Sequence, residues 1–135
     1  MPSTQQAKYS KLNVLVVDDE MLIRNMIELI LKDMGFKRIV MAANGAAALE
    51  ILMEPETSFD FIICDWMMPE MDGLELLRQL RAINCRSRFV MLTAKVDQTD
   101  VLDAKHEGVD GYISKPFAPL DIHKKIEALA RGIAD

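Results

Sequence analysis

Three acids, a hydroxyl and an ammonium stand at the ends of apolar runs in this 135-residue chain. Asp18 and Asp19, with Glu20 behind them, follow the run NVLVV. Asp65 follows DFIIC directly, Thr93 follows RFVML, and Ser114, Lys115 and Pro116 follow GYI. In open parallel α/β sheets, ligands bind beyond the carboxyl ends of the strands, where the strand order reverses. If these runs are parallel strands, Asp18, Asp19, Asp65, Thr93 and Lys115 gather at one edge of the sheet. Carboxylates about 4 Å apart repel by roughly 1 kcal/mol in water and by about 4 at an intermediate dielectric. Such a cluster suits a hard divalent cation with oxygen ligands. A few carboxylates with several waters favour Mg²⁺ over a caged Ca²⁺, with Mn²⁺ as a substitute. A bound cation would neutralise an incoming phosphoryl group, whose oxygens Lys115 and the Thr93 hydroxyl would hold.

The elements that must position these groups are read from the hydrophobic pattern. Short apolar runs lie at 13–17, 38–42, 60–64, 88–92 and 111–113. They are continuous rather than alternating, as expected for parallel strands covered on both faces. Between them the spacing is helical. Ile23, Ile27, Ile30 and Met34 form one stripe that Gly35 ends. Asn44 caps a second helix through Ala47, Ala48 and Ile51 that stops by Pro55. A third helix follows Asp72 with Leu74, Leu76, Leu77 and Leu80 inward. A fourth, the least apolar, runs over about 98–107 to Gly108, and a fifth starts near Pro119 with Ile122, Ile126, Leu129 and Ile133. Alternating strands and helices predict an α/β fold, a doubly wound five-stranded parallel sheet with helices on both faces.

Residues 1–11 carry no periodicity and are expected to form a flexible tail, leaving 12–135 as one domain. No second domain or repeat is evident, so any output is expected from this domain's own surface. A net charge of −5 argues against nucleic-acid binding. No apolar run approaches the roughly 20 residues of a membrane span, so no membrane insertion is expected. Cys64, inside an apolar run, and Cys85 are too few for a disulfide framework, which fits a reducing cytoplasm. His106 and His123 lack a metal-binding spacing.

The motifs VLVVDDE, FIICDWMMPEMDG, VMLTA and YISKPF, in this order, closely resemble the receiver domains of two-component response regulators. The resemblance spans residues 11–133, and the four motifs together are far more specific than any one. It implies a flavodoxin-like strand order of 2-1-3-4-5 and makes Asp65 the phosphoacceptor. Asp19 and Asp65 would ligate Mg²⁺ directly, Asp18 through water, and the Met67 backbone carbonyl would complete the protein ligands. Thr93 and Lys115 would bind the phosphoryl group, and the Lys115–Pro116 peptide would be cis. Thr93 and Tyr112 would form the switch. The implied partners are a sensor histidine kinase or a histidine phosphotransfer protein, and a downstream protein target. The chain would act as a monomer or a phosphorylation-linked dimer, catalysing its own phosphorylation and slow dephosphorylation without being a turnover enzyme. Two positions depart from familiar members: Met67 is apolar where several carry a polar residue, and Lys95 is basic where others carry an acid or amide. Both would flank the path of hydrolytic water and tune dephosphorylation.

Other readings are weaker. An acidic pair such as Asp18–Asp19, taken alone, is commonly a helix-capping signal. A flavodoxin-like cofactor carrier needs a phosphate loop after the first strand, where this chain is acidic. Neither GxxxxGK[ST] nor GxGxxG is present for a nucleotide. A phosphatase using an aspartyl phosphate normally has a second Asp two residues on, where Met67 stands. The strongest rival is an interaction module that works without phosphorylation, although the acids, hydroxyl and lysine are all retained.

Overall fold

The computed structural model describes residues 8–94, 105 and 107–131. Nine elements follow in order: β1 (Asn13–Val17), α1 (Met21–Met34), β2 (Arg38–Ala42), α2 (Gly45–Met53), β3 (Phe61–Asp65), α3 (Gly73–Ala82), β4 (Arg88–Thr93), β5 (Gly111–Ser114) and α4 (Pro119–Ala130). The helix expected over about 98–107 falls almost wholly outside the described residues. The strands form one sheet of order β2-β1-β3-β4-β5. Every pairing is parallel. The chain moves outward from β1 to β2 and then returns to the other side of β1 as β3. That reversal leaves a crevice at the carboxyl ends of β1 and β3, where Asp18 and Asp65 stand.

The two faces follow from the strand period of two. Val14, Val16, Phe61, Ile63, Val90 and Leu92 point to the face covered by α1 and α4. Leu15, Val17, Ile62, Cys64, Phe89 and Met91 point to the face covered by α2 and α3. Because both sets are apolar, the strands read as unbroken apolar runs. β2 departs from this expectation: Arg38 and Val40 are exposed and Ala42 alone is fully buried. It is the margin of the sheet, with a neighbour on one side only.

Local signals set the helix ends. Gly35 takes φ 116°, and the Gly35 and Phe36 amides donate to the Lys32 and Leu31 carbonyls. Asn44 accepts from the Ala47 amide at 2.7 Å, and Asp72 from the Glu75 amide at 2.9 Å. In α4 the apolar stripe buries Ile122, Ile126 and Ala130.

Residues 8–11 differ from the expected flexible tail, while 1–7 lie outside the described residues. Tyr9 is 4% exposed, and its ring stacks on Phe36 at 4.8 Å. Phe36 meets Phe61 edge-on, and Lys8 Nζ donates to the Ala130 carbonyl at the end of α4. A single aromatic packed on distant partners leaves no local periodicity, which is why the sequence pattern missed it.

Candidate functional site

The carboxyl ends of β1 and β3 bring Asp18, Asp19 and Asp65 together, with one oxygen of each within 4.8 Å of the others. Asp18 is wholly buried and Asp65 is 4% exposed, whereas Asp19 is exposed. The Asp18 amide donates to the Ala42 carbonyl of β2 at 3.2 Å, and its Oδ1 accepts from the Glu20 amide at 2.9 Å. Arg24 Nη1 donates to the Asp18 carbonyl at 2.7 Å. Asp65 closes the central strand, and the Met67 amide donates to its carboxylate.

Lys115 arrives from the end of β5. Its Nζ lies 3.0 Å from Asp65 Oδ1 and 3.5 Å from Asp18 Oδ2. Its own amide donates to the Thr93 carbonyl at 3.0 Å, which ties the chain leaving β5 to the end of β4. The Lys115–Pro116 peptide is cis. Thr93 is buried at the strand end. Tyr112, half-buried on β5, has its ring near-parallel to that of Trp66, with centroids 6.3 Å apart. Met67 projects into solvent, 60% exposed. Lys95 lies outside the described residues.

Burial pushes the Asp18 carboxyl above its ordinary value. The Glu20 amide works against this, and the Asp65 charge adds to it. Burial likewise raises Asp65, opposed by Lys115 and reinforced by Asp19. Burial lowers Lys115, but the Asp65 hydrogen bond and the Asp18 charge outweigh it, so its net shift is upward. One ammonium therefore gains more from the pairing than the two carboxylates do, because desolvation falls on both acids. A divalent cation would relieve what Lys115 leaves uncompensated. The donor set, oxygen only with two buried carboxylates, fits Mg²⁺ or Mn²⁺.

A pH dependence follows for the metal-free protein. A carboxyl with a raised folded-state pKa binds more protons folded than unfolded. Its stabilising contribution is complete below the unfolded value, near 3.8 for Asp18 and Asp65, and is lost as pH rises through the folded value. Ionised Asp18 thus costs stability at neutral pH. In chelator, Asp18→Asn is expected to stabilise the fold at pH 7 by on the order of 1 kcal/mol, because the burial of Asp18 and its repulsion from Asp65 are partly offset by Lys115 at 3.5 Å. That gain should shrink toward pH 4. Urea titrations at both pH values check this, and an Asn variant less stable than wild type at pH 7 would refute it.

Sequence patterns did not single out Arg24 or Trp66 for this site. Arg24 is one of two cations on α1, with Lys32, and Trp66 directly follows Asp65. No helix among the described residues is long and apolar enough to cross a membrane.

Comparison with known proteins agrees with this geometry. Residues 14–127 match the model of the response regulator receiver domain. The chain is 36% identical to the chemotaxis protein CheY of Pseudomonas aeruginosa over 120 residues, covering 87% of this chain and 95% of that protein. It is 37% identical over 118 residues to the transcriptional regulatory protein SrrA of Staphylococcus aureus, covering 87% of this chain but 47% of that one. Among solved structures, CheY4 of Vibrio cholerae superposes with a TM-score of 0.80 at 32% identity, over 87% of this chain and 98% of the other. A sheet reversal lined by paired aspartates, with a lysine reaching them from the last strand, and a family match across nearly the whole domain lead to one identification: this chain belongs to the response regulator receiver domain family.

Proposed function

We propose that Asp65 accepts a phosphoryl group from a histidine of a sensor kinase or a histidine phosphotransfer protein. The observation that carries this is Lys115 Nζ lying 3.0 Å from the Asp65 carboxylate, inside a cluster of three acids. A Mg²⁺ or Mn²⁺ held by Asp19, Asp65, the Met67 carbonyl and, through water, Asp18 would supply charge neutralisation. An Asp65 carboxylate oxygen attacks phosphorus and forms a P–O bond as the P–N bond breaks. The histidine nitrogen departs with the electron pair. Lys115 and the Thr93 hydroxyl hold the transferred oxygens. The domain, residues 12–135, catalyses its own phosphorylation and slow dephosphorylation.

Phosphorylation then shifts an inactive–active equilibrium through Thr93 and Tyr112, altering a surface that binds a downstream protein in chemotaxis or phosphorelay signalling in the cytoplasm. The stacking of Tyr112 on Trp66, the residue after Asp65, supports this link. NMR shifts across residues 95–112 should move on phosphorylation.

Intact mass after incubation with acetyl phosphate tests the acceptor. A gain of one phosphoryl group is expected with Mg²⁺, and none without it or in Asp65→Asn. No gain from acetyl phosphate or from a phosphohistidine donor would favour an interaction module independent of phosphorylation.

Met67 stands at the solvent face beside the acceptor, where its side chain would hinder hydrolytic water. Met67→Asn is expected to speed dephosphorylation severalfold, measured as decay of the phosphorylated mass. A slower variant would count against this role.

A further inference from the structure

We propose that Arg24 is a positioning residue that locks the β1–α1 turn so that Asp18 and Asp19 present their oxygens to the cation. The inference rests on the metal-site reading above. Arg24 bridges that turn through its side chain: the guanidinium donates to the Asp18 carbonyl at 2.7 Å, while its amide makes the first backbone hydrogen bond of the helix, to the Glu20 carbonyl at 3.1 Å, as any residue there would. The turn it closes, residues 18–20, carries two of the three clustered acids.

The turn has an internal tie, the Glu20 amide donating to Asp18 Oδ1 at 2.9 Å, but that oxygen belongs to one of the clustered acids and the usual helix cap is missing. Asn44 and Asp72 cap α2 and α3 with side-chain hydrogen bonds, but Glu20 at the start of α1 makes none, and the first turn contains no acid. Exposed Asp19 has β1 on one side and an uncapped helix on the other. A Mg²⁺ ion demands near-ideal geometry at about 2.1 Å from its ligands. A loose turn would have to be ordered at the moment of binding, which weakens affinity.

The charge of Arg24 sharpens the argument. A cation is disfavoured in the first turn of a helix, where the dipole is positive. It would also repel an incoming metal ion. Electrostatics alone therefore predicts that removing Arg24 tightens metal binding. Positioning predicts the reverse, so the sign separates the two.

The test uses the full chain as wild type, Arg24→Ala and Arg24→Lys. Mg²⁺ is titrated against the fluorescence of Trp66, the sole tryptophan. Hydrogen exchange at the Asp18 and Glu20 amides is followed separately in chelator. Loss of a group that orients metal ligands typically costs about tenfold or more in affinity. Arg24→Ala is thus expected to weaken Mg²⁺ about tenfold and to speed exchange at both amides. Arg24→Lys, with a donor on a stem of similar reach, should recover part of each. Equal or tighter Mg²⁺ binding in Arg24→Ala, with unchanged exchange, overturns the proposal. If Arg24→Ala does not fold, Arg24→Lys carries the same comparison at smaller amplitude. A wild type that binds no Mg²⁺ would instead refute the metal-site reading, and the exchange rates would still decide whether Arg24 locks the turn.

Discussion

Lys115→Ala is expected to slow phosphoryl transfer from acetyl phosphate by about 100-fold while tightening Mg²⁺ binding by about tenfold. The two effects have opposite signs because Lys115 serves two masters. In the metal-free protein its ammonium lies 3.0 Å from Asp65 and 3.5 Å from Asp18. It compensates the acids, so a divalent cation must compete with it. Opposite charges about 4 Å apart at an intermediate dielectric attract by about 4 kcal/mol, of which tenfold in affinity uses only about 1.4. In the transfer proposed above, the same ammonium would face the phosphoryl oxygens. Removing one preorganised donor from developing negative charge typically costs 10²–10³ in rate, about 2.7–4 kcal/mol.

Lys115→Arg separates charge from geometry. It keeps the positive charge and so should restore competition with Mg²⁺, but its planar fork cannot take the place of a compact ammonium. Transfer should therefore stay slow. Mass-spectrometric time courses and Trp66 fluorescence titrations read the two quantities independently. Transfer within twofold of wild type, or weaker Mg²⁺ binding in Lys115→Ala, would show that the ammonium does not do what its position implies.

The second large effect lies in the backbone behind the acceptor. A Cβ added to Gly73 would sit 2.6 Å from the Asp65 carbonyl oxygen, 2.7 Å from Met91 Sδ and 3.0 Å from Trp66 Cα. Two of these three contacts are main chain, and the Gly73 amide already donates to the Trp66 carbonyl at 2.9 Å. The clash can be relieved only by moving α3 or the end of β3. Gly73→Ala is expected to destabilise the fold by about 2–3 kcal/mol, at the upper end of overpacking costs, as measured by urea denaturation. Because the displaced backbone carries Asp65, Mg²⁺ affinity should fall with it.

Gly45 provides the control. It also opens a helix, but the nearest atoms its Cβ would meet all belong to the Met71 side chain, Sδ at 2.9 Å and Cβ and Cγ at 3.0 Å. The thioether can swing aside, which leaves only the Met71 Cβ to give by a few tenths of an ångström. Gly45→Ala should therefore change stability by less than about 1 kcal/mol, since alanine's better helix propensity offsets the crowding. Equal losses in the two variants would mean that the tight approach of α3 to β3 has no special consequence.

Much of this protein could be read along the chain because its governing physics is local. Continuous apolar runs marked the strands, since β1, β3 and β4 are covered on both faces. Stripes at helical spacing marked α1, α3 and α4, and Gly35, Asn44 and Asp72 acted within a few residues as stop and cap. Asp18, Asp65, Thr93 and Lys115 were found by their place at the ends of those runs, because parallel strands all deliver their last residues to one edge. Their roles came from resemblance to a family, since spacing alone does not distinguish a nucleophile from a ligand.

Other features needed the assembled sheet. The strand order of the sheet, carried over from the resemblance, places Asp18 beside Asp65 and leaves β2 at an open margin. Tyr9 lies in a stretch without periodicity, yet it is buried on Phe36, a partner that no periodicity could announce. Arg24 became more than a cation on a helix only when its guanidinium was seen on the Asp18 carbonyl. Gly73 is constrained by the 2.6 Å approach that any Cβ would make to the Asp65 carbonyl oxygen, a contact no local pattern announces. Hydrophobic period and capping act between near neighbours and leave their mark in the order of residues. Burial, charge compensation and close approach act between segments far apart in the chain, and they exist only once folding has brought those segments together.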